Sequence, residues 1–253
     1  DYTVTNILDK DKNLVVAPMM SYDSQVTDPL EKKGRFAINI SDGSVSGNNY
    51  KITGYVPGVI VVASSEVKVN KAPFPVQGLI YNASPQTLVE DGEVNGGWIE
   101  YSTDGGQTWS KDLPKKTDAG TYEVKYCIKS DENHFVKSAE ERNAEDTITV
   151  EIAKREISFK AADKSAKVGD DRPSLEAPVL DTDYTVTNIL DKDKELVTAP
   201  KMSYDSQVTD PLEKKGSFEI SISDGSVSGN NYKIKSHVPG VIVVASSEVK
   251  VIK

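Results

Sequence analysis

The chain has 253 residues, with 30 Lys and Arg against 39 Asp and Glu, a formal net charge of −9 and one cysteine. The acidic balance excludes backbone recognition of nucleic acid, which needs clustered positive charge, and disfavours an anionic membrane surface. The lone Cys127 excludes an intrachain disulfide and a cysteine-based zinc cluster.

Residues 1–69 recur as residues 183–251, and the copies differ only at positions 13, 16, 19, 35, 37, 39, 53, 54 and 55 of the first. A repeat of this length means an array of similar modules. The second copy is preceded by residues 155–182, which have no counterpart before Asp1. The expectation is that the first copy lacks its opening strand or strands, as a truncated member of a longer array. Its missing strand would leave an unpaired edge open to strand-mediated pairing with another chain.

In chain order, the first copy predicts strands near 2–7, 13–17, 35–41, 50–53, 59–63 and 66–69. Phe36, Ile38 and Ile40 alternate with Arg35, Ala37 and Asn39, and only the second set changes between copies. A period of two places the first set in a core and the second in solvent. Position 19, Met in one copy and Lys201 in the other, is expected to be exposed. Val59-Ile60-Val61-Val62 is a continuous apolar run, fit for a strand buried on both faces. Asn70 to Pro75 holds two prolines and predicts a stiff connector.

Residues 71–153 read as a different module. Asp104-Gly105-Gly106 lies between Trp98-Ile99-Glu100-Tyr101 and Thr108-Trp109-Ser110, a hairpin signal. Tyr122, Val124, Tyr126 and Ile128 alternate toward a core, with Glu123, Lys125 and Cys127 outward. Ile148, Val150 and Ile152 do the same. Ser138 to Asp146 is the nearest approach to a helical stretch, and it is short and polar. The second junction, residues 152–157, has no Gly or Pro, so one strand can run into the next. The resulting division is residues 1–70, 71–153 and 154–253.

Two stretches carry family resemblances. Lys167-Val168-Gly169-Asp170-Asp171-Arg172-Pro173, with Gly229-Asn230-Asn231-Tyr232 and Val238-Pro239-Gly240-Val241, resembles the MBG-type repeat of bacterial surface proteins. Val168 stands where that family has Tyr. Residues 71–153 resemble bacterial Ig-like repeats, through Tyr81-Asn82 with Gln86, Asp104-Gly105-Gly106, Ala119-Gly120-Thr121-Tyr122 and Val150 to Lys154. In this second resemblance His134 to Glu145 departs as a longer loop. The resemblances imply an all-β chain of tandem Ig-like or β-sandwich modules in an elongated array, located outside the cell or on a bacterial cell surface.

Few constellations carry chemistry. Ser102, Asp104, Gly106, Thr108 and Trp109 fit the Asp-box pattern of sialidase propellers, but a propeller needs several blades, so a braced hairpin is the expected role. Asp118, Gly120 and Tyr122 resemble the tyrosine corner of immunoglobulin-type sandwiches. Trp98, Tyr101 and Trp109 are the candidate platform for sugar rings, set against core packing of at least two of them. Asp9, Asp11, Asp191 and Asp193 alternate with lysines. A calcium site needs six to eight oxygens, and those lysines oppose one. His134 and His237 read as solvated loop residues. No GxSxG elbow, P-loop or HExxH is present.

The function these features imply is a non-enzymatic stalk, spacer or adhesion segment of a secreted or cell-surface bacterial protein, monomeric and without cofactor or metal. The alternatives are a module binding carbohydrate, mucin or a host surface protein, and an accessory region of an extracellular glycoside hydrolase. Neither nucleic acid nor membrane insertion is expected.

Overall fold

A computed structural model describes residues 1–137 and 146–248. The polar stretch from Ser138 to Glu145 lies outside the described residues. The fold is all-β: the described chain is strands, turns and two short 3-10 segments, Asp9–Leu14 and Asp191–Leu196. It divides into two compact units, one of residues 1–72, 92–100 and 126–145, the other of residues 73–91, 101–125 and 146–253. The strands Gly97–Ser102, Gly120–Ser130, Asp146–Ala153 and Leu79–Ile80 follow one another in a four-stranded sheet.

The second copy of the repeat, in the second unit, is organised around one strand that lies before it in sequence. Arg155–Ala161 alternates well, and Ile157, Phe159 and Ala161 are buried while Glu156 and Lys160 are exposed. It is the middle strand of three. Tyr184–Thr187 pairs with it antiparallel, setting Phe159 against Val186 and Ala161 against Tyr184. Tyr232–Val238 pairs parallel on the other side, setting Ile157 against Ile234 and Phe159 against His237. The facing sheet runs in the order Lys164–Lys167, Gly240–Ala245, Gly216–Ser223, Lys201–Tyr204. Between them lie Ile157, Phe159, Ile220, Ile222, Ile242 and Val244, all buried. The Phe159 ring stacks between Tyr184, 6.1 Å away, and His237, 5.6 Å away.

The first copy, in the first unit, has nearly the same sequence and a smaller fold. Met19–Tyr22, Gly34–Ser41 and Gly58–Val62 form a three-stranded sheet. Its registers match the second copy: Tyr22 faces Ile38 as Tyr204 faces Ile220. Val15–Val16 pairs with Ser44–Val45, as Val197–Thr198 does with Ser226–Val227. Phe36 is buried, Arg35 and Asn39 are exposed, and Met19 is exposed. The unit also contains the pairing of Lys68–Lys71 with Glu93–Asn95 and the parallel pairing of Ser65–Glu66 with His134–Phe135.

Two sequence expectations need correction. Residues 2–7 and 50–53 are not strands in the first copy, although the matching segments of the second copy are. The cause is the partner. Both segments are strands only where Arg155–Ala161 runs between them and takes up their backbone N–H and C=O groups. Second, the apolar run 59–62 is not buried on both faces. In Gly240–Ala245 only Gly240, Ile242 and Val244 are buried, and in Gly58–Val62 no residue is more than half-buried. One face packs on the core and the other meets solvent, as in a two-layer sandwich. The Leu-Asp-Lys-Asp-Lys segments form 3-10 turns, with acidic side chains in the first turn.

Because Phe159 is fully buried at the centre of the second copy, Phe159→Ala is expected to lower the unfolding free energy of that unit by about 3–5 kcal/mol. Urea denaturation followed by far-UV circular dichroism measures this.

Candidate functional site

The most concentrated polar chemistry in the described chain is a buried carboxylate. Asp193 lies in the 3-10 turn Asp191–Leu196 and is 7% exposed. Its Oδ2 accepts the Tyr232 hydroxyl at 2.7 Å and the Tyr81 hydroxyl at 3.0 Å. The two rings meet edge to face, with centroids 5.5 Å apart. Burial first, and the bond to Asp193 second, push both phenols above their ordinary range. They therefore stay protonated and donate at any physiological pH.

Neighbouring groups complete the joint. Lys192 Nζ donates to the Ala83 carbonyl. Asn231 Oδ1 accepts the Ala119 N–H at 2.8 Å, and its Nδ2 donates to Asp118 Oδ1 at 3.0 Å. The backbone adds Tyr81 N–H to the Ala153 carbonyl and Arg155 N–H to the Asn231 carbonyl, both 2.9 Å. Residues 81–83 and 118–119 are thereby fixed against the turn 190–194 and the segment 230–232. The arrangement holds no nucleophile beside a base. Its carboxylate and phenols are bonded to each other and closed off from solvent, so its chemistry is structural.

The first copy has the same residues without this burial. The Tyr50 hydroxyl donates to Asp11 at 2.6 Å and accepts the Leu8 N–H at 3.4 Å, as Tyr232 does with Asp193 and Leu190. Asp11 and Tyr50 are only half-buried. What Asp193 gains is Tyr81.

Asp118 links the joint to the tyrosine corner. The Tyr122 hydroxyl donates to the Asp118 carbonyl at 2.8 Å, so the corner holds the loop whose side chain grips Asn231. Lys116 Nζ lies 5.7 Å from the centre of the Tyr122 ring.

The hairpin after Tyr101 is closed by hydrogen bonds between Tyr101 and Ser110 of 2.7 and 3.0 Å. Asp104 Oδ1 accepts the N–H groups of Gln107 and Thr108 and the Ser102 hydroxyl, and Oδ2 accepts the Thr108 hydroxyl. The Ser102 oxygen accepts the Gly106 N–H, and Trp109 Nε1 donates to the Gly106 carbonyl at 3.0 Å. Every polar group of the motif thus works inside the turn. Gly105 and Gly106 have φ of 77° and 94°, a region that favours glycine.

The candidate sugar platform does not hold as a set of three. Tyr101 is 3% exposed, with its hydroxyl bonded to Asp91, so it presents no face to a ligand. Trp98 is half-buried with Nε1 bonded to Glu100 at 2.9 Å, and Trp109 is half-buried against its own turn. The histidines are also not solvated loop residues. His134 lies in a strand, 2.6 Å from Asp131, and its ring fills the space beside Gly96. His237 stacks on Phe159, and its Nε2 is buried without a hydrogen-bond partner. Cys127 is half-buried. Asp191 pairs with Lys194 on the surface. No cluster of three metal-ligating side chains exists among the described residues.

No protein-family model and no curated protein sequence matches the chain. Among solved structures, the chain is similar to Drosophila N-cadherin EC1-3, at 12% identity over 89% of this chain and 80% of that one, with a TM-score of 0.26. It is also similar to Drosophila N-cadherin EC1-4, at 12% identity over 85% of this chain and 59% of that one, with a TM-score of 0.24. At these scores the likeness carries no weight beyond the β class already evident from the strands.

Two outcomes test the site. Asp193→Ala leaves two buried hydroxyls without their acceptor and is expected to cost about 2–4 kcal/mol of stability, whereas Asp11→Ala costs less than about 1. The pair is an internal control, because the local sequences match, and denaturant midpoints decide it. Asp104 is held well below the usual carboxylate range, first by the Thr108 hydroxyl and then by the Thr108 N–H and Ser102. Its folded pKa lies below its unfolded one, so its contribution is complete above about pH 4 and is lost as the pH falls below that. Asp104→Asn is expected to flatten the acid side of the stability profile, read as thermal midpoint from pH 2 to 6.

Proposed function

We propose that the chain is a non-enzymatic structural or adhesive segment of a secreted or cell-surface bacterial protein, in which β modules hold or space a neighbouring part. The modules in this reading are residues 1–70, 71–153 and 154–253, of the MBG, Ig-like and MBG types. The observation that carries the reading is the joint at Asp193. A buried carboxylate and two tyrosines are spent on fixing Tyr81 against the repeat, and Asn231 on fixing residues 118–119, a use of polar groups that suits a load-carrying junction. The bracing of Ser102, Asp104 and Trp109 within one hairpin supports it further.

Binding of carbohydrate or a surface protein is the adhesive form of the same reading, with the indole face of Trp109 as its contact. The test is a panel in two parts. Against glycoside substrates the chain is expected to give no turnover. Against immobilised glycans, mucin and extracellular-matrix proteins, an adhesive segment gives saturable retention that Trp109→Ala weakens, and a pure spacer gives none. Turnover that co-purifies with the chain would contradict the proposal in both forms.

A further inference from the structure

In the first copy, the sheet of Met19–Tyr22, Gly34–Ser41 and Gly58–Val62 turns one face to solvent. On that face the register sets Arg35 beside Val61, Ala37 beside Val59 and Asn39 beside Ser21. Val59 is 52% exposed and Val61 61%. The second copy repeats the arrangement, with Glu219 beside Val241 and Ser217 beside Val243. Those valines are 37% and 51% exposed, although Lys164–Lys167 adjoins their strand. A strand at the edge therefore leaves this face uncovered, and its exposure is a property of the sheet's outer side in both copies.

The copies are told apart on this face. Positions 19, 35, 37 and 39, four of the nine at which they differ, all lie on it. Where the first copy has Arg35 and Ala37, the second has Ser217 and Glu219. Beside the same pair of exposed valines, one copy thus carries a cation and the other a carboxylate. Arg35 and Glu219 are both exposed, and Glu219 Oε1 accepts the Ser221 hydroxyl at 2.8 Å. Two such faces pack when one is turned over about an axis crossing the strands at Phe36 and Ile60, which are register partners as Phe218 and Ile242 are. Positions 35 and 37 then meet each other's counterparts, as do 59 and 61. Two first copies would press each Arg35 on an Ala37, and two second copies each Glu219 on a Ser217. Either leaves two covered charges without partners, which is costly. A first copy on a second sets Arg35 on Glu219, Ala37 on Ser217 and valine on valine.

We propose that the outer sheet face of the first copy docks on the outer sheet face of the second copy of another molecule of the same chain. The valines supply the apolar centre and the Arg35–Glu219 pair supplies the choice of partner, by leaving like faces with unpaired charge. The contact is heterologous, since each molecule contributes one face of each kind. The chain then associates with itself, which goes beyond its reading as a structural or adhesive segment.

Sedimentation equilibrium of the full chain is the test. Reversible, concentration-dependent association is expected. Arg35→Glu alone gives two negative faces and Glu219→Arg alone two positive ones, so each is expected to weaken association at least tenfold. Both positions are exposed, and the thermal midpoints are expected to stay unchanged. Mixing the two single variants is expected to restore association, because each then offers the sign the other needs, and the double variant is expected to restore it within one chain. A chain that stays monomeric at about 1 mM, association that neither single variant weakens, or no recovery in the mixture and the double variant would each overturn the proposal.

Discussion

The repeat depends on a single strand having backbone partners on both of its sides. Arg155–Ala161 supplies hydrogen-bonding groups to Tyr184–Thr187 and to Tyr232–Val238 at once, and it brings in Phe159, Ile157 and Ala161 as the centre of the core. Neither flanking segment pairs with the other. Without the strand they have no ladder to join, and their apolar side chains have nothing to cover them. Burying a Phe side chain contributes about 1.5–3 kcal/mol, comparable with the whole margin by which a short segment is ordered or not. The same residues in the first copy therefore line an open groove.

A similar dependence governs the polar chemistry. Asp11 and Asp193 sit in identical Leu-Asp-Lys-Asp-Lys turns, and each accepts a tyrosine hydroxyl from its own copy. Only Asp193 meets a second tyrosine, Tyr81, and only Asp193 is buried. A buried carboxylate is costly unless its oxygens are satisfied, and here two phenols that remain protonated satisfy one of them. The tyrosine corner at Tyr122 and the side chain of Asp118 extend the support to Asn231. Local sequence thus prepares the turn, and the neighbouring segment decides whether it becomes a joint.

What could be read from the sequence follows from this. The alternation of Phe36, Ile38 and Ile40 with Arg35, Ala37 and Asn39 was legible because it is local, and substitution between the copies marked its wet face. The same holds for Val124 and Tyr126, and for Ile148, Val150 and Ile152, all buried. The turn at Asp104 was legible because its side-chain bonds span four residues or fewer. Residues 2–7 and 50–53 were not, since their strand state depends on a segment remote in the chain. Nor could pattern show which aspartate of the two turns is buried, because both turns are the same. Tyr101 looked like a possible sugar contact from its neighbours, and Asp91 with the hairpin beneath it made it core. His237 differs from Tyr55 without any local signal that its ring stacks on Phe159.

The central claim is that one strand, and not the local sequence, decides the structure of the repeat. Amide hydrogen exchange on the full chain tests it most directly, by comparing residues 2–5 with 184–187 and residues 50–56 with 232–238. Residues 2–5 and 184–187 are identical, and residues 50–56 and 232–238 differ at positions 53, 54 and 55, so intrinsic exchange cancels in the first pair and is corrected at three positions in the second. Protection at least a hundredfold greater in the second copy is the predicted result. Equal, strong protection in both copies would mean that the segments form strands without Arg155–Ala161 beside them, and would contradict the claim.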